Sequence, residues 1–163
     1  MSETTIDQAD FRKVLGSYPT GVCVVTAMDG DKPAGMVVGS FTSVSLDPPL
    51  VGFFPDKKST SWPVIEKAGR FCVNVMASDQ LDVCRSASAK GDDKFVGVEF
   101  TISDHDLPII ANSIACIECQ LYSVTEAGDH WFAMGEVLRM ESVREDDPML
   151  FHRGRYGGFA ERM

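Results

Sequence analysis

The spacing of apolar and polar positions changes period several times along this chain, and each change marks an element. Asp7 to Asp10 reads as a helix start, with an acidic cap and an acidic first turn. Phe11, Val14, Leu15 and Tyr18 follow at helical spacing, and Pro19 and Gly21 stop the helix. The pattern then turns to strands. Residues 22–27 form one, 29–33 a tight turn, and 34–46 a second strand rich in Val, Thr, Ser and Gly, broken by Asp47, Pro48 and Pro49. Residues 50–54 are a third strand. A short helix opens over residues 59–63, where hydroxyls precede Pro63, and runs through Val64, Ile65 and Lys67 to Gly69. Residues 70–76 are a strand. Another helix starts at 78–80, passes Leu81, Val83 and Cys84, and fades into a loop at 87–93. Strands at 96–102, 115–124 and 131–143 complete the pattern, with a hairpin turn at Gly128 and Asp129.

Short strands dominate and do not alternate regularly with helices, which argues against a doubly wound parallel sheet. The expected fold is mainly β with short helices, a closed or partly closed antiparallel barrel. No repeat or linker divides the chain, so residues 1–163 are expected to form a single domain.

Composition narrows the function. Fifteen Lys and Arg against 24 Asp and Glu give a net charge of −9, unsuited to nucleic acid or an anionic membrane surface. A phosphorylated ligand remains compatible where positive groups are local. The start, Met1 to Asp10, is polar and acidic, and no stretch approaches the ~18 apolar residues of a membrane span, so a cytoplasmic protein is expected. Five cysteines, an odd number at irregular spacing, do not form a disulfide pattern. Cys116 and Cys119 match C-x-x-C, but three positions apart on a strand they point to opposite faces. They read as small apolar strand residues, and no metal site is expected.

Four segments could carry chemistry. Residues 34–50 interleave Gly35 and Gly39 with Ser40, Thr42, Ser43 and Ser45. Glycine weakens a strand unless a ligand or another backbone comes close, and the hydroxyls suit a polar ligand edge; a bent barrel strand with a solvated face is the alternative. Lys57, Lys58, Ser59 and Ser61 precede a helix start, a setting that suits a phosphate, or else form an ordinary exposed cap. His130 follows a hairpin turn. The tail at 151–159 combines arginines, aromatics and glycines, as a flexible end would, or as a stack against a planar anion would. G-x-S-x-G, H-E-x-x-H, the P-loop and a strand-to-helix G-x-G-x-x-G are all missing from the sequence.

Together these blocks resemble the flavin reductase-like family, whose fold is the FMN-binding split barrel. The resemblance runs from Phe11 to Phe159. Its most specific block is residues 40–50, Ser-Phe-Thr-Ser-Val-Ser-Leu-Asp-Pro-Pro-Leu, and residues 70–75, 93–95, 128–130 and 154–157 follow in the family's order. The resemblance implies that NADH or NADPH passes hydride to bound FMN or FAD, and that reduced flavin goes to a separate flavin-dependent monooxygenase. A homodimer is implied too. It places Met36, Val37, Val38, Gly39 and Ser40 along the flavin ring and ribityl chain, with Ser43, Val44 and Ser45 nearby. Lys58, Ser59 and Ser61 would hold the phosphate. Asn74 and Val75 would approach from the neighbouring strand, and Lys94 and Phe95 would help close the site. His130 would be the catalytic residue, meeting the nicotinamide with Tyr156. One departure stands out: Val37 and Gly39 replace residues that in the family carry polar side chains more often. A flavin carrier or sensor without NAD(P)H turnover is the alternative these blocks allow, and a plain structural barrel the other.

Overall fold

The computed structural model describes residues 5–163; the part of the Met1–Asp10 reading that falls on residues 1–4 lies outside the described residues. The helices are α1 (Gln8–Leu15), α2 (Trp62–Ala68) and α3 (Leu81–Ala87). The strands are β1 (Thr20–Gly21), β2 (Cys23–Asp29), β3 (Lys32–Val38), β4 (Thr42–Ser45), β5 (Leu50–Phe53), β6 (Arg70–Val75), β7 (Phe100–Ile102), β8 (Pro108–Ile110), β9 (Ala115–Ala127), β10 (His130–Ser142), β11 (Met149–His152) and β12 (Arg155–Gly158).

The main sheet has seven strands in the order β3-β2-β6-β9-β10-β5-β4, and every pairing is antiparallel. Its two edges, β3 and β4, are consecutive in the chain. The expected strand at 34–46 is split between them, because residues 39–41 leave one edge and enter the other. The sheet curls without closing there, so the fold is a split barrel, mainly β with short helices.

Central strands are buried on both faces. Along β2, Cys23, Val25 and Ala27 enter the main core with Phe53, Trp62, Ile65 and Phe71, while Val24 enters a second cluster on the opposite face with Met76, Cys84 and Met149. In the main core Phe53 meets Trp62 and Phe71 edge-on, at 5.7 and 5.3 Å. Such contacts add about 0.5–1.5 kcal/mol each beyond burial. Cys119 belongs to this core, whereas Cys116 packs with Cys72 and Leu107 on the other face. All five cysteines are free and buried. Burial pushes the Cys23 and Cys119 thiols up to about 12 and that of Cys84 to about 11.

The sequence pattern missed four strands, β1, β8, β11 and β12. β8 pairs with β7, which is only the last part of the strand expected at 96–102. The tail is no loose end: β11 and β12 form a hairpin that pairs with β1 through Thr20 with Phe151 and Gly21 with Leu150. The backbone N–H of Arg153 also donates to the Gly16 carbonyl at 3.0 Å, fixing the hairpin to the end of α1. That helix stops at Leu15, short of Tyr18, and includes no buried residue. Among the described residues no helix is long and apolar enough to cross a membrane, and no group of three or more His, Cys, Asp or Glu is placed to hold a metal.

Candidate functional site

Among the described residues strand β3 has no partner on its outer side, so part of its backbone stays outside the ladder. Two hollows flank it. The larger, about 1010 Å³, is lined by Met36, Val37, Val38, Gly39 and Ser40, with His130 across from them. Its remaining wall is mostly apolar: Phe11, Leu15 and Tyr18 of the α1 region, Phe54 after β5, and Phe151 of the tail. The second, about 600 Å³, shares Met36 and Val37 with the first. Lys58, Ser59, Thr60, Ser61, Ser88, Lys90 and Lys94 give it three ammonium groups and four hydroxyls. No carboxylate stands among the described residues lining it.

The fold explains why His130 reaches the first hollow. Chain beyond β5 is stitched to the β9–β10 turn: the Trp131 N–H donates to the Pro55 carbonyl at 2.9 Å, and the Lys57 N–H to the Asp129 carbonyl at 3.0 Å. This carries His130 to the side of Asp56. Its Nδ1 lies 2.8 Å from an Asp129 carboxylate oxygen, and this contact holds the Asp129 carboxyl below its usual range. A carboxylate at Nδ1 fixes the proton on that nitrogen and leaves Nε2 for a ligand. The His130 side chain is 41% exposed, in keeping with a residue on a cavity wall.

The basic lobe is built otherwise than a helix end would build it. The Ser59 hydroxyl accepts from the Ser61 and Trp62 N–H groups at 3.3 and 3.1 Å, so these two donors at the start of α2 are already engaged. Anion affinity there rests on side chains. Lys57 turns away: it pairs with Glu126 at 2.8 Å and lies 4.7 Å from the Trp131 ring centre. Lys94 reaches in from the loop after α3 and donates to the Ser61 hydroxyl at 2.8 Å and the Gly35 carbonyl at 3.3 Å. Both partners are neutral, and burial lowers the Lys94 pKa. A half-buried ammonium with no counter-charge among the described residues, in a protein of net charge −9, is a ready partner for an anion. These donors fit a phosphate, and the apolar hollow fits a flat ring system.

Both expected glycines prove to be close approaches, made by protein. A Cβ at Gly35 would come within 2.8 Å of the Phe95 ring, and one at Gly39 within 2.8 Å of the Thr20 hydroxyl oxygen. Phe95 lies beyond Lys94 on a further wall.

Other expected residues stand apart from both hollows. Asn74 is fully buried and its amide is spent inside the fold. It donates to the Val24 carbonyl and the Thr26 hydroxyl, both at 3.0 Å, and accepts from the Ile110 N–H at 2.9 Å, fastening β8 to the sheet. Val75 packs against the main core. Ser43, Val44 and Ser45 lie on the edge strand β4. Tyr156 lines a separate hollow on the tail, stacked edge-on against Phe151. Lys90, the one cation in a loop of small residues, and Phe54 were not among the expected site residues; Phe151 and Arg153 belong to the tail read as a candidate segment, and strand pairings distant in sequence bring them to the hollow.

Comparison with known proteins gives a consistent result. The flavin reductase like domain matches residues 15–160. A flavin reductase of Pseudomonas putida is 57% identical over 158 residues, 96% of this chain and 93% of that protein. The reductase subunit HsaB of a flavin-dependent monooxygenase from Rhodococcus jostii is 46% identical, over 94% of this chain and 78% of its own. Among solved structures, a homologue of nitrilotriacetate monooxygenase component B from Mycobacterium thermoresistibile superposes with a TM-score of 0.92 at 42% identity, covering 97% of this chain and 89% of that one. The NADH:FAD oxidoreductase SgcE6 of Streptomyces globisporus, in complex with NAD and FAD fragments, gives 0.89 at 35% identity, with 94% and 93% covered. A domain match over nearly the whole chain, joined to this split barrel, means that the chain belongs to the flavin reductase-like family.

Proposed function

We propose that this chain is an NAD(P)H-dependent flavin reductase, which holds FMN or FAD, reduces it with NADH or NADPH, and supplies the reduced flavin to a flavin-dependent monooxygenase. One observation carries the reading: an apolar, ring-sized hollow runs, through Met36 and Val37, into a lobe of three lysines without a carboxylate. A flavin has the same two-part character. When bound, it supplies the redox chemistry by accepting hydride from the nicotinamide.

The chain's own residues bind, orient and shield. Lys58, Lys90 and Lys94 neutralise the phosphate, and the Ser61 hydroxyl shares its hydrogen bonds. Val37 and Val38 line the ring, and the one of the two whose N–H points away from β2 offers it toward charge gained on reduction. Phe54 and Phe151, with Phe11, Leu15 and Tyr18 of the α1 region, give apolar contact to the face where the two rings must meet. His130, held by Asp129, positions the nicotinamide through Nε2. No side-chain nucleophile is required.

The chain works as a homodimer. What supports this is α1, where Phe11, Val14 and Leu15 are more than half exposed, and the β9–β10 pair, where Tyr122 and Met140 are also more than half exposed.

Mixing the purified protein with FMN or FAD and following NADH and NADPH oxidation by near-ultraviolet absorbance tests the reading. Flavin-dependent oxidation supports it. Flavin binding without oxidation makes the protein a carrier or sensor, and no binding of either flavin removes the reading altogether.

A further inference from the structure

The groove does not end at the basic lobe. Past Ser61 and Lys94 it opens into a third recess of about 320 Å³, at the small end of the range for small-molecule sites. This recess shares Thr60, Ser61, Gly91 and Lys94 with the basic lobe, and no lining residue with the hollow that contains His130. The three compartments therefore follow in line, and their chemistry changes in order. The first is apolar. The second holds lysines and hydroxyls. The third combines the faces of Pro33 and Phe95 with the carboxylates of Asp29 and Asp92, and with Lys32 at its rim.

We infer that the third recess takes the adenosine half of FAD, and that this chain binds FAD in preference to FMN. The inference rests on the flavin reductase reading. Ring, phosphate and adenosine occur in FAD in the sequence in which the three compartments occur here. FMN stops at its phosphate and leaves the third recess unused. Lys94 stands where the second and third compartments join, with only neutral protein partners, and so faces the diphosphate that links the two halves of FAD. Phe95 is held for stacking before any ligand arrives: the missing side chain at Gly35 lets its ring seat against β3, and Phe100 meets it edge-on at 6.0 Å. Asp29 and Asp92 repel a further phosphate but accept hydrogen bonds from the neighbouring hydroxyls of a ribose. NAD(P)H carries an adenosine phosphate as well. The recess adjoins the basic lobe and shares no wall with His130, which assigns it to the flavin.

Titration of the wild-type protein with FAD and with FMN, read by flavin fluorescence, tests this. FAD is expected to bind at least tenfold more tightly than FMN. Free adenosine, which has no phosphate, is expected to weaken FAD binding and not FMN binding. Val64→Trp fills the recess from α2 and is expected to bring the two dissociation constants together; Asp92→Asn gives a smaller shift in the same direction and serves if the tryptophan variant does not fold. FMN binding as tightly as FAD to the wild-type protein overturns the inference and leaves the reductase reading standing. A raised KM for NADH in Val64→Trp, with the flavin ratio unchanged, assigns the recess to the nucleotide and overturns the FAD assignment. Binding of neither flavin overturns the reductase reading itself.

Discussion

The two hollows that meet at Met36 and Val37 are built on different terms. The basic lobe is assembled from local sequence: Lys58 to Ser61 are consecutive, and Ser88 to Lys94 form one loop. The apolar hollow gathers residues from both ends of the chain, from Phe11 to Arg153, through the pairing of β1 with β11 and the stitching of His130 to Asp56. One side is a charge site that tolerates movement, since an ammonium acts over several ångströms. The other is a shape site, where ring contact must be maintained. Binding strength should thus depend on the lysine side, and turnover on the histidine side.

His130→Ala should show the largest effect. Loss of nicotinamide positioning should lower kcat/KM for NAD(P)H by about 100-fold, the scale on which a misplaced reactant slows reaction. Flavin affinity, measured by fluorescence, should stay within about twofold. An equal loss of both would place His130 in the flavin site instead. Lys94→Met should weaken FMN and FAD by about 30-fold, near 2 kcal/mol, the scale of a charge-assisted hydrogen bond. Riboflavin, which has no phosphate, should bind the variant as it binds the wild type, and a matching loss for riboflavin would refute the phosphate role.

Asn74→Ala sharpens the comparison from outside the site. It leaves the Ile110 N–H without its partner, takes one of the Thr26 hydroxyl's hydrogen bonds, and should cost about 2 kcal/mol in urea unfolding. In the variant that remains folded, flavin affinity should not change.

The pH response separates the two sides further. Burial lowers the Lys94 pKa from the ordinary lysine value of 10.5, and the protonated form is the one that attracts phosphate. FMN affinity should therefore fall as pH rises through that lowered value, before an exposed lysine would lose its proton. Riboflavin affinity should not fall over the same interval, and Lys94→Met should remove the difference. Asp129→Asn should have the smallest effect, raising KM for the nucleotide by about threefold, because the carboxylate acts only through the orientation of His130.

How far the sequence could be read follows the same division. The lysine and hydroxyl run at 58–61 and the hairpin turn before His130 are local, and both were visible. So was the placement of Cys116 and Cys119 on opposite faces, since strand periodicity alone decides it. The tail with Phe151 and Arg153 was legible only as a choice between a loose end and a stack against a planar anion, because composition does not show that β1 gives it a partner. Gly35 and Gly39 signalled close approach correctly, but composition does not say what approaches; here it is Phe95 and Thr20. Asn74 shows the limit most clearly. Its place near the flavin was implied by the family resemblance alone, and the docking of β8 shows where its side-chain amide is used. At the start of α2 the Ser59 hydroxyl engages the Ser61 and Trp62 N–H groups, a local contact that composition alone does not reveal.

The most direct test of the central claim is anaerobic rapid mixing of the flavin-loaded protein with NADH, and separately with NADPH, following the visible absorbance of the flavin and the near-ultraviolet absorbance of the nucleotide together. The account predicts that with at least one nucleotide both signals decay at one rate, one flavin bleached for each nucleotide consumed. Bound flavin that keeps its colour while both nucleotides remain intact would contradict it.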